Sequence, residues 1–153
     1  MNIKVFPSEL KGHLQIPASK SYMQRVLVGA LLAEGTSTIK NPGTSEDEQN
    51  MLQVIRSLGA ISEDHGGELT IRGGFNPSDD RITIGESGLG VRLITPITAL
   101  ANREITIAGY GSLTKRPMNV IERALKDVGT ECTTNQGYLP INVKGPIQGG
   151  TVH

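Results

Sequence analysis

Apolar residues recur at helical spacing in some parts of this chain and alternate with polar ones in others. Met23, Leu27, Ala30 and Leu31 lie three and four apart, which predicts a helix from Lys20 to about Ala33. Ser19 stands where a helix cap belongs, and Gly35 stops the run. "TSTIKN" then returns as a strand. A second helix is predicted from about Asp47 to Leu58, burying Met51, Val54, Ile55 and Leu58, with Gly59 at its end. "ELTIRG" and "RITIG" alternate as half-buried strands do. Further on, Val120, Ile121, Ala124, Leu125 and Val128 form another helical stripe. Pro117 sits near its first turn, where a missing N–H costs little. Glu122, Arg123, Lys126 and Asp127 on the opposite face read as a solvated surface.

These elements repeat. "LQIPASKSYMQRVLVGALLAEGTSTIKN" from Leu14 aligns with "ITIGESGLGVRLITPITALANREITIAG" from Ile82. Ile16 matches Ile84, Ile39 matches Ile107, and Arg25 pairs with Arg92 after a one-residue slip. "NMLQVIRSLGA" resembles "NVIERALKDVGT", and "GELTIRGG" resembles "YLPINVKG". The expectation is an α/β fold of two strand–helix–strand–helix–strand–strand units, residues 14–80 and 81–146. Because repeated units bury their faces on one another, a third unit is expected to begin at 147–153.

Composition narrows the function. The 153 residues contain 15 basic and 15 acidic side chains, so no global field draws in nucleic acid or an anionic membrane. No stretch approaches membrane-spanning length and no signal peptide is evident, which points to a cytoplasmic protein. The single cysteine, Cys132, excludes an intrachain disulfide, and "DVGTECTT" places it on a strand, half-buried rather than reactive. His13, His65 and His153 show no ligand spacing, so no metal site is expected.

Several familiar motifs fail. "PASKS" lacks the glycines of a phosphate-binding P-loop. "GESGLG" misses a nucleophile elbow at Leu89, and a dinucleotide fingerprint at Leu93. "SLTK" lacks the companion motifs of penicillin-binding enzymes, and proline bars "NPS" from glycosylation.

Three segments survive at equivalent turns of the two units: "PASKSYMQR", "GESGLGVR" and "LTKRP". Each joins small residues or proline to a helix start near a cation. Such starts present free N–H groups and partial positive charge, which favour anions. Lys20 offers a point charge, whereas Arg25 and Arg116 can grip carboxylate or phosphate in a fork. Ser21 and Arg25 share one side of a helix. Gly88 lets a ligand approach backbone, and Asp47 opens a helix as a first-turn carboxylate. Taken singly, each cation also fits a solvated first turn; together they fit an anion site.

In order and spacing, these segments resemble the Pro-Gly-Ser-Lys-Ser…Arg, Gly-Asn-Ala-Gly-Thr…Arg and Arg-Pro segments of the 5-enolpyruvylshikimate-3-phosphate synthase family, over nearly the whole chain. The resemblance implies enolpyruvyl transfer from phosphoenolpyruvate to shikimate 3-phosphate through a tetrahedral intermediate, without metal or organic cofactor. By that resemblance, Lys20, Ser21 and Arg25 contact shikimate 3-phosphate. Lys20, Gly88 and Arg116 contact phosphoenolpyruvate, and Asp47 and Arg92 support them. The family has two domains of three units each, with substrates between them. Residues 1–13 would then belong to the other domain, and the main acid–base residues to a C-terminal portion outside this chain, leaving the chain inactive alone. Leu89 stands where the family usually has threonine, and Ser112 at a spot often basic.

Two other readings stand beside this one. The related transferase acting on UDP-N-acetylglucosamine usually carries a catalytic cysteine in the loop matching "GYGSLTKRP", which has none. A non-catalytic anion-binding module built from two repeats is the other.

Overall fold

The structure, a computed structural model, describes residues 2–152; Met1 and His153, the outer ends of the first and last expected segments, lie outside them. Residues 2–19 form neither helix nor strand. Then come α1 (Lys20–Leu32), β1 (Thr36–Lys40), α2 (Glu46–Ser57), β2 (Ile61–Asp64) and β3 (Glu68–Arg72). The second half runs β4 (Arg81–Thr83), α3 (Gly88–Thr98), β5 (Glu104–Ala108) and a 3₁₀ turn (Gly111–Lys115). It closes with α4 (Asn119–Asp127), β6 (Glu131–Asn135) and β7 (Tyr138–Lys144).

The helix starts are capped as their residues allow. Ser19 Oγ accepts from the Tyr22 N–H at 3.4 Å, and Ser87 Oγ from the Gly90 N–H at 3.0 Å. At α2 the Ser45 N–H and hydroxyl both donate to Glu48 Oε2, at 2.9 and 2.6 Å. Each motif satisfies groups that a helix end leaves without partners.

Two sheets form. The first has the order β1-β3-β2, antiparallel throughout, with Ile39 opposite Leu69. The second has the order β4-β5-β7-β6, and there β4 and β5 run parallel across the α3 connection. Ile82, Ile105, Ile107, Ile141 and Val143 from this sheet join Leu27, Leu31, Met51, Ile55 and Ile71 in one continuous core. That core spans both units.

Three expectations change. The opening strand of the first unit does not form: Leu14 and Ile16 are 87% and 79% exposed, whereas Ile84, the repeat partner of Ile16, is fully buried. In the chain β4 follows β3 and precedes α3, and its flanks bond to β5 through Thr106 N–H to Asp80 O and Ile84 N–H to Ala108 O. Residues 14–17 have an ordered element on one side only. Fixing them would cost about 1–2 kcal/mol of backbone entropy per residue, and among the described residues no such bonds offset it.

On α4 the buried stripe is shifted. Val120 is 71% exposed, while Met118 before the helix is fully buried and Leu125 nearly so. Spacings of three and seven from Met118 select Ile121 and Leu125 as the inward face, which turns Val120 outward. Finally, Cys132 on β6 is fully rather than half-buried, facing the core opposite Val143.

Candidate functional site

The starts of α1 and α3 are drawn together by a polar contact inside the core. Gln24 and Ser87 are each 1% exposed, and the Gln24 amide donates to Ser87 Oγ at 3.0 Å. The same oxygen caps α3, so one hydroxyl both starts a helix and ties it to its counterpart. Across the repeat the helices also copy a second device. Arg25 Nη1 returns to the Ser21 carbonyl at 2.8 Å, and Arg92 Nη1 to the Gly88 carbonyl at 2.6 Å.

Above this junction lies an open cleft of about 570 Å³. Lys20, Ser21, Asp47, Gly88, Arg92 and Arg116 line it, bringing together six of the seven residues singled out from the sequence. Arg25 is not among its lining residues; it lies exposed one turn along α1. Gln24, Glu86, Ser87, Leu89 and Ser112 complete the walls.

Each charged side chain of the cleft has a polar partner. Lys20 Nζ meets Asp47 Oδ2 at 2.8 Å, and this hydrogen bond, with the carboxylate's charge, raises the lysine pKa above its usual value. Arg116 Nη2 donates to Ser112 Oγ at 3.2 Å. Its other terminal nitrogen stands so close to Gly88 that a Cβ there would lie 2.5 Å from it. Glycine is therefore what allows this guanidinium to cover the start of α3. Glu86 accepts the Ser112 N–H at 2.6 Å, which lowers its pKa, with the Arg116 charge adding to the effect.

Tyr110, just before the 3₁₀ turn, joins both units as well. Its hydroxyl donates to Glu46 of α2 at 2.5 Å and accepts from Asn50 at 3.4 Å. The bond to Glu46 raises the tyrosine pKa. Chemically, the assembled surface can hold more than one anionic group, with Lys20, Arg92, Arg116 and free backbone N–H groups as donors. Among the described residues no cluster of His, Cys, Asp and Glu is suited to a metal ion.

Sequence reasoning passed over Gln24 and Glu86. Gln24 had a signal, since it lies four residues beyond Lys20 on the same helical face. Glu86 had none, because its partner Ser112 is 26 residues away.

A duplicated helix–strand unit with cations gathered at paired helix starts belongs to the enolpyruvyl transferase fold, as comparison with solved structures shows. EPSP synthase from Acinetobacter baumannii superposes with a TM-score of 0.83 at 28% identity, over 92% of this chain and 33% of that one. The family model of EPSP synthase (3-phosphoshikimate 1-carboxyvinyltransferase) matches residues 6–153, and the chain belongs to that family. The 3-phosphoshikimate 1-carboxyvinyltransferase of Clostridium novyi is 36% identical over 163 residues, 99% of this chain and 38% of the relative. That of Deinococcus radiodurans is 37% identical over 147 residues, 94% of this chain and 34% of the relative. The chain thus spans little more than a third of the length of these relatives.

Proposed function

We propose that this chain forms one wall of an active site that transfers the enolpyruvyl group of phosphoenolpyruvate to shikimate 3-phosphate, releasing phosphate. The observation that carries the reading is the convergence of Lys20, Arg92, Arg116 and two helix starts on one cleft. Two anionic substrates held side by side need such a surface, because each charge-assisted hydrogen bond contributes about 1.5–3 kcal/mol.

In this reading Lys20 lies between the substrates and serves both. Ser21 and Arg25 belong to the shikimate 3-phosphate side, which requires Arg25 to swing from the Ser21 carbonyl. Gly88 and Arg116 belong to the phosphoenolpyruvate side, with Asp47 orienting Lys20 and Arg92 bracing the start of α3. The hydroxyl of one substrate adds to the enol carbon of the other as a proton reaches the methylene carbon. A proton then leaves the new methyl group as phosphate departs. The groups that move these protons belong to sequence outside this chain, consistent with its span of its relatives.

The test is an amide NMR titration of the chain with phosphoenolpyruvate and shikimate 3-phosphate. Shifts confined to Lys20, Ser21, Gly88, Arg116 and their neighbours are expected. Lys20→Ala should weaken both responses by about 10- to 100-fold, the loss of one charge-assisted bond. Responses scattered over surface lysines, or unchanged by that substitution, would overturn the assignment.

A further inference from the structure

We infer that Glu86 is a positioning residue for Arg116, acting through Ser112 and the 3₁₀ turn. Three contacts form a chain. The Ser112 N–H donates to Glu86 Oε2 at 2.6 Å, Ser112 Oγ accepts from Arg116 Nη2 at 3.2 Å, and Arg116 covers Gly88. A 3₁₀ turn of five residues leaves its first N–H groups without internal partners, and an anionic acceptor satisfies one of them.

Gly111 supplies an independent observation. It has φ +57°, and a Cβ there would fall on the Glu86 carboxylate. The turn is therefore shaped to admit this side chain, and a substitution at 111 would both strain the backbone and displace the carboxylate. Tyr110, bonded to Glu46, secures the entry of the turn, while Glu86 secures its first residues. Arg116 follows directly after the turn. Without Glu86 the Ser112 N–H loses its acceptor and the guanidinium, bonded to the same serine, loses its fixed approach.

The charges facing Glu86 agree with this role. Arg116 lies on the far side of Ser112, Asp47 faces it from α2, and Tyr110 precedes the turn. Lys20 and Arg92 complete the cleft. Bonding to the Ser112 amide keeps Glu86 ionised below the usual carboxylate range.

The consequence for phosphoenolpyruvate rests on the proposed function; the positioning of Arg116 does not. The 153-residue chain is therefore first compared without ligand as wild type, Glu86→Gln and Glu86→Ala, by NMR from neutral to acid pH. The expected result is a wild-type Ser112 amide that moves with a midpoint below the ordinary glutamate range. In Glu86→Gln this step should vanish while the Arg116 guanidinium signal stays near its wild-type position, because the amide still accepts the bond. Glu86→Ala should shift both signals. Wild-type Ser112 and Arg116 signals in Glu86→Ala would overturn the inference, as would an unchanged acid step in Glu86→Gln.

Phosphoenolpyruvate is then titrated into each. Glu86→Ala should bind about tenfold more weakly, and Glu86→Gln within about threefold of wild type. Equal affinity of Glu86→Ala and wild type, with Lys20→Ala weakened, would overturn the positioning role and leave the cleft's function standing. Loss of the ligand-free signature's response to phosphoenolpyruvate in every protein would overturn the function instead, with Glu86 already decided by the first measurement.

Discussion

The two units share one pattern and treat it differently. Ser19 and Ser87 cap corresponding helices, and Arg25 and Arg92 return to corresponding carbonyls. Beyond these local devices the units part. In the second, β4 lies against β5 and Ile84 is buried; in the first, Ile16 stands in solvent and, among the described residues, β1 has no strand on that side. In its place is an open groove between α1 and β1, lined by Tyr22, Met23, Thr38 and Ile39. Ser87 is likewise buried against Gln24, whereas Ser19 is exposed. Contacts within one helical turn survive duplication because both partners come from the same few residues. Contacts between elements depend on what each unit packs against.

The contrast can be tested from its strongest point downward. Ile84→Ala should cost about 2–5 kcal/mol in urea unfolding, since it empties a packed site, while Ile16→Ala should stay within about 0.5 kcal/mol. Comparable losses at both positions would show that residues 14–17 pack as a strand in solution.

Cys132 and Ser62 give a second contrast, facing Val143 and Ile71 in corresponding sheet registers. Ser62 accepts a hydrogen bond from Arg56 Nε at 2.7 Å, whereas burial pushes the Cys132 thiol from an ordinary value of 9.0 to about 11. Below pH 9 the thiol is neutral in folded and unfolded chains alike. Between pH 9 and about 11 the unfolded chain releases this proton and the folded chain keeps it, so stability falls. The loss should approach 2–3 kcal/mol by pH 11 and be absent in Cys132→Ser, measured by urea unfolding against pH.

Ser87→Ala should cost about 1–3 kcal/mol, because it removes a cap and leaves the buried Gln24 amide without its partner. Ser19→Ala should cost well under 1 kcal/mol, its bond being exposed and 3.4 Å long. Equal costs would mean that the junction of α1 and α3 contributes nothing beyond capping. The smallest effects belong to Arg25→Ala and Arg92→Ala, both exposed and each within about 0.5 kcal/mol of wild type by thermal unfolding. A larger loss at Arg92 alone would give its carbonyl contact a structural role that Arg25 lacks.

The sequence by itself determined the duplication, the bounds of α1 and α2, and six of the cleft's residues. Those readings rest on local physics: helical spacing, serine caps, stopping glycines and cations near helix starts. They need no knowledge of what lies opposite. Tertiary structure decided the rest. It left residues 14–17 unpaired, turned Val120 outward in favour of Met118, buried Cys132 completely and kept Arg25 out of the cleft. It also created contacts that no local pattern contains, among them Gln24 with Ser87 and Glu86 with Ser112, whose partners lie 63 and 26 residues apart. A side chain's surroundings depend on which elements meet, and that is settled by packing the whole core rather than by any single turn of the chain.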